Sequence, residues 1–166
     1  MWVRPPRLRA AVLVFLGIHS MEATAMSPVP FFQRIEQVGV LCVVEAADGL
    51  PIADLGDAAL CGRSVAGLSS LLASQLAVTA LPPNDGRITA PGTLLVLVHA
   101  TLRAENGQRL LALAAVLQRT GSASSAPFFM TPPQALVVAG SLDEAALDAA
   151  LQRLFGPLAR ALQVNL

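Results

Sequence analysis

Apolar and polar positions first fall into register along RIEQVGVLCVVEA, residues 34–46. Val38, Val40, Cys42 and Val44 lie on one side of an extended chain, and Leu41 and Val43 on the other. Apolar side chains on both sides mark an interior strand, which Asp48-Gly49 and Pro51 then end. The flanking stretches lack any such period. Met26–Phe32, punctuated by proline, is expected to run extended, and 51–60, PIADLGDAAL, to form a loop.

Beyond Ser64 the spacing changes. Val65, Leu68, Leu72 and Leu76 follow one another at three and four residues, widened by Leu71. This predicts an amphipathic helix over 65–76 with Ser64 as its N-cap. Gly67 weakens it. LAVTAL reads as a short strand before the turn cluster Pro82-Pro83-Asn84-Asp85-Gly86.

Asn106-Gly107 is the strongest hairpin signal in the chain. A two-residue turn there sets Glu105 opposite Gln108, Thr101 opposite Ala112 and His99 opposite Ala114. That register gathers Leu94, Val96, Val98, Ala100 and Leu102 on one face with Leu111, Leu113, Ala115 and Leu117. Residues 108–119 also satisfy helical spacing and are rich in good helix formers, so strand and helix both stay open, with the hairpin preferred. After the loop Gly121–Ala126 comes a short strand, QALVVAG. Ser141 and Glu144 then form a capping box. The helix that follows has a stripe of Leu147, Leu151, Leu154, Phe155, Leu158 and Leu162, and Gly156-Pro157 is expected to kink or break it. No internal repeat interrupts this order. It predicts an α+β fold: a small, mainly antiparallel sheet of about four strands with two amphipathic helices packed on one face.

Composition changes the picture mainly at the N-terminus. Arg4, Arg7 and Arg9 precede the apolar run Ala10–Ile18 and a small-residue site, Ala23-Thr24-Ala25. Nine apolar residues are too few for a span, which needs about 20, and the pattern is that of a cleavable signal peptide over 1–25. The single domain is then 26–166, exported to the periplasm or secreted. No stable membrane span is expected in that mature chain. Its removal takes Trp2 and His19 with it and leaves His99 as the only histidine. Over the whole chain 11 Lys+Arg balance 11 Asp+Glu and charged residues make up only 13%, which offers no basic surface to nucleic acid.

Candidate chemistry is sparse. Asp48, Asp54 and Asp57 lack the alternating ligand pattern of a calcium loop. His99 has no second histidine or cysteine beside it in the hairpin register, and the serines at 122, 124 and 125 belong to no nucleophile elbow. No catalytic residue, cofactor or metal site is expected. Cys42 and Cys61 are the only cysteines. An oxidising compartment favours a disulfide between them, with two buried free thiols as the alternative. A third reading is a reactive thiol: Cys61-Gly62-Arg63-Ser64 resembles the Cys-x-x-Ser motif of monothiol glutaredoxins in the thioredoxin-like class, and Thr131-Pro132 resembles the segment that faces the thiol there. The resemblance implies redox chemistry at Cys61, its pKa lowered by a helix start and by Arg63. The spacing after the first strand and the missing last hairpin depart from that pattern.

Two features remain for binding. Phe128, Phe129 and Met130 form an apolar cluster, either core or a partner-facing patch. The hairpin face carrying Leu95, Leu97, Leu110 and Val116 is apolar as well, and needs cover from the N-terminal PVPFF segment, a second subunit or a ligand. The expectation is therefore an exported, non-enzymatic domain that binds an envelope protein or a second copy of itself. A thioredoxin-like redox protein using Cys61 and a carrier of a small apolar ligand are the alternatives.

Overall fold

A computed structural model describes residues 30–47, 55–121, 132–139 and 141–165. Strands β1 (Gln37–Ala46), β2 (Ala77–Ala80), β3 (Thr93–Glu105), β4 (Gln108–Gln118) and β5 (Gln134–Val138) form one sheet in the order β2-β1-β3-β4-β5. Helices α1 (Asp57–Leu72) and α2 (Glu144–Asn165) complete an α+β fold. The sheet has five strands rather than about four, and it is mixed rather than mainly antiparallel. β1 pairs in parallel with both β2 and β3, whereas β3–β4 and β4–β5 are antiparallel. The reason is in the connections. α1 returns the chain so that β2 starts beside the start of β1, and the segment after Leu81 turns back to begin β3 at Thr93, opposite Gln37.

The hairpin forms in the register that its turn dictates: Glu105 faces Gln108, Thr101 faces Ala112 and His99 faces Ala114. Asn106 and Gly107 both have positive φ (50° and 76°), the pair of conformations a type I′ turn requires. Residues 108–118 are a strand, because this turn and an apolar partner at alternate positions of β3 outweigh helix propensity. The helical alternative for 108–119 falls. Leu94, Val96, Val98, Leu111, Leu113 and Leu117 are all buried, in one cluster with Val38, Val40 and Cys42 of β1. Leu60, Leu68 and Leu72 of α1 and the whole Leu147–Leu162 stripe of α2 join the same cluster.

Several local expectations are corrected. Pro30–Phe32 is a short 3-10 turn, not an extended segment, and it buries Phe31 and Phe32 in edge-to-face contact at 5.2 Å. PVPFF therefore adds Phe31 and Phe32 to the main core. α2 is capped by Asp143, whose Oδ1 accepts from the N–H groups of Ala145 (2.9 Å) and Ala146 (3.2 Å), so the cap lies two residues past Ser141. α2 also runs on through Pro157. Leu154, Phe155, Leu158 and Leu162 anchor it on both sides of the missing N–H, and burial of that stripe outweighs one lost intrahelical bond.

α1 differs most. It begins at Asp57, seven residues before Ser64, so 57–60 is helical rather than loop. It ends at Leu72, where Ala73 takes the left-handed conformation, and Leu76 lies beyond it. Ser64 is no cap: it lies in mid-helix, fully buried, with no hydrogen-bond partner for its Oγ. A buried hydroxyl without a partner loses its hydration for nothing. Ser64→Ala in the disulfide-bonded protein is expected to leave stability unchanged or raise it by about 1 kcal/mol, measured as a urea midpoint shift at constant slope.

The return from β2 crosses the start of the sheet. Leu81, 3% exposed, lies over Gly39, where a Cβ would approach its Cδ1 to 2.3 Å. Glycine at 39 is what lets this leucine close down on β1. In the turn that follows, Asp85 accepts hydrogen bonds from the Arg87 side chain and backbone N–H. These hold its carboxyl at about 2, below the ordinary 3.8. A depressed folded-state pKa stabilises fully above the unfolded value, and that contribution is lost as pH falls through about 2. A carbon-13 titration should find Asp85 ionised at pH 3; half-protonation near 4 would show that the turn is not formed.

Candidate functional site

The two cysteines meet. β1 directs Cys42 toward the buried cluster, the second turn of α1 brings Cys61 over it, and the two are disulfide-bonded with Cα atoms 5.4 Å apart. Among the described residues no cysteine is free. The features that the thiol reading needs are placed otherwise. Cys61 lies beyond the first turn of α1, where unpaired N–H groups would favour a thiolate. Arg63 turns away to α2, where it pairs with Glu144 and with both carboxylate oxygens of Asp148 at 3.0 Å. The hydrogen bonds it donates to Glu144 and then to Asp148 raise its pKa above the ordinary guanidinium value. Thr131 is outside the described residues, and Pro132 is exposed.

A second contact holds the same helix start. β2 ends opposite Val40, so among the described residues no strand pairs with the outer edge of β1 from Leu41 onward. There Asp57, the first residue of α1, accepts a hydrogen bond from the N–H of Val44 at 2.7 Å. The carboxylate also sits where the helix dipole favours negative charge. Asp57→Ala is expected to lower stability by about 1 kcal/mol, with Asp57→Asn keeping roughly half of the effect; denaturant titration of both variants checks this. Beside this edge lies an open cavity of about 250 Å³. Leu41, Ala80, Leu81, Pro82 and Pro83 line it together with Asp57, Ala58 and both cysteines. A groove of about 330 Å³ runs between α1 and α2, and Arg63 and Asp148 close on each other across it.

The other side of the sheet carries Leu41 and Val43 of β1, Leu97, His99 and Thr101 of β3, and Leu110, Ala112, Ala114 and Val116 of β4. Ala135 and Val137 of β5 extend it. Leu95 at one end is buried. Further along, Val116 is 44% and Val137 62% exposed. His99 stands half-exposed, its Nε2 3.2 Å from Glu45 Oε2 on the neighbouring strand. Among the described residues no three His, Cys, Asp or Glu side chains gather as a metal site, and no helix is long and apolar enough to cross a membrane. The Phe128, Phe129 and Met130 patch lies outside the described residues, as do the 1–25 segment, Asp48 and Asp54.

The sequence reading missed Arg119. From the end of β4 its guanidinium donates to four backbone carbonyls: Phe31 (2.8 Å), Gln33 (2.6 Å), Arg34 (3.1 Å) and Pro91 (3.1 Å). No local signal marks it, since all four acceptors are distant in sequence.

No family model matches the chain, and no curated protein matches it. Solved structures of similar layout include the PelC dodecamer from Paraburkholderia phytofirmans. That chain is 10% identical, with a TM-score of 0.45 over 76% of this chain and 89% of its own. A leucine-to-methionine variant of the same dodecamer is 13% identical, with a TM-score of 0.45 over 75% and 90%. An uncharacterized protein is 16% identical, with a TM-score of 0.43 over 76% and 92%. At these identities and scores the likeness says nothing of activity or assembly.

Proposed function

We propose that this chain is an exported, non-enzymatic domain that acts by binding, either to an envelope protein or to a second copy of itself. Its two helices cover only the Cys42 face of the sheet, and the opposite face is the binding surface. The observation that carries this reading is the exposure of Val116 and Val137 in an otherwise apolar stretch of Leu97, Leu110, Ala112 and Ala114. The Val, Leu and Ala side chains of this face, which surround His99 and Thr101, recover hydrophobic free energy only when another surface covers them. The disulfide fits an oxidising compartment, and the export signal read over 1–25 supplies the route.

A photo-crosslinking residue at position 116, compared with one at Gln152 on the exposed side of α2, tests the reading in the native envelope. Position 116 should give a discrete product, of doubled mass for a second copy or of another mass for a different protein, and position 152 should give none. No product at 116, or equal products from both positions, overturns it.

A further inference from the structure

We infer that α1 has two alternative starts, and that the Cys42–Cys61 disulfide selects between them: Asp57 when the bond is formed, Ser64 when it is reduced. Local chemistry favours the later start. Ser64 is a good N-cap type followed by the apolar positions Val65, Leu68 and Leu72. The observed start has weaker local support. Its N-cap, Gly56, makes no side-chain cap bond; Asp57, Ala58 and Ala59 are exposed; and Gly62 interrupts the segment. Tertiary contacts hold it instead: the disulfide, Asp57 on Val44, burial of Leu60, and Arg63 on α2.

The cost of this arrangement is visible at Ser64, whose buried Oγ has no partner while 57–63 is helical. If 57–63 unwinds, that Oγ becomes free to accept from the N–H groups of Ala66 or Gly67, which then open the helix. One side chain is thus orphaned in one state and bonded in the other.

Cys42 is 5% and Cys61 9% exposed, and both line the open cavity at the β1 edge, the side from which a reductant would approach. The reductant is a dithiol. Its thiolate attacks one cysteine sulfur, the S–S bond breaks, and the other cysteine leaves as a thiolate that takes up a proton. The second thiol of the reductant then displaces the mixed disulfide. It closes the reductant's own disulfide and leaves both cysteines reduced, by two electrons and two protons in all.

Hydrogen exchange on the full chain, oxidised and dithiothreitol-reduced, tests the inference. Reduction should raise exchange at least tenfold at amides 60–63, which lose their helical bonds, and leave β3, β4 and the 68–72 amides protected. Ser64→Ala is the second arm: neutral or stabilising in the oxidised protein, it should lower the denaturant midpoint of the reduced protein, a reversal of sign. A purely structural disulfide would give the variant the same effect in both states, and that result overturns the inference. So does unchanged protection at 60–63 after reduction, or its loss across the whole fold.

Discussion

Replacing Cys42 and Cys61 together by alanine is expected to lower the unfolding free energy by about 3 kcal/mol, the chain-entropy value for a closed loop of this size. The cysteines are 19 residues apart, and in the unfolded chain the bond removes the freedom of that loop. In the folded chain it ties α1 to β1 at a point where β1 has lost its outer neighbour. Calorimetry should show a fall in Tm of roughly 10 °C for a domain of this size. The wild-type protein under reducing conditions should fall by a similar amount, and non-reducing thiol titration of the denatured protein should find no free thiol. A reduced protein as stable as the oxidised one would mean that the contacts of Leu60, Asp57 and Arg63 fix the helix start unaided.

Arg119→Ala is expected to cost about as much, roughly 3 kcal/mol, because hydrogen bonds from a charged donor are worth more than neutral ones, four are lost together, and the Phe31 carbonyl left behind is part-buried. Four such bonds converge on one guanidinium, and three of them fix the 3-10 turn that buries Phe31 and Phe32. Their loss releases two aromatic rings from the core as well as the bonds themselves. Arg119→Met retains the apolar stem without the donors and should recover little. Arg119→Lys, with a single ammonium, cannot reach carbonyls spread over Phe31, Gln33, Arg34 and Pro91 at once and should recover less than half. Denaturant unfolding of the three variants gives the ranking, and a full rescue by lysine would show that charge rather than geometry holds the turn.

The parts legible in the sequence were those in which the deciding interactions are close along the chain or repeat at a fixed period. The β3–β4 register followed from Asn106-Gly107 and alternate apolar positions, and the buried stripe of α2 from its three- and four-residue spacing. The disulfide was legible as one of three fates for two cysteines. What the sequence misjudged was where elements begin and which way strands run. Ser64 and Ser141 both look like caps, yet α1 starts at Asp57 and α2 at Glu144, because the N–H of Val44 reaches the Asp57 carboxylate only in the folded chain and the N–H of Ala145 is taken by the nearer Asp143. The candidate binding face was foreseen from Leu95, Leu97, Leu110 and Val116, but Leu95 is buried and Val137 is the most exposed large apolar residue of that face.

By itself, then, the sequence determined two amphipathic helices, an inner strand, a hairpin in its register and a cysteine pair suited to an oxidising compartment. Periodicity and turn chemistry act over a few residues, so they can be read without knowing the fold. Only the tertiary structure decided that β1 lies between β2 and β3 and runs parallel to both, that Arg119 gathers the carbonyls of a turn more than eighty residues away, and that Cys61 lies inside a helix instead of at its start. Each depends on groups far apart in sequence meeting in space. For the Cys61-Gly62-Arg63-Ser64 stretch, a disulfide to β1 and a pair of carboxylates on α2 override the local signal for a helix start at Ser64.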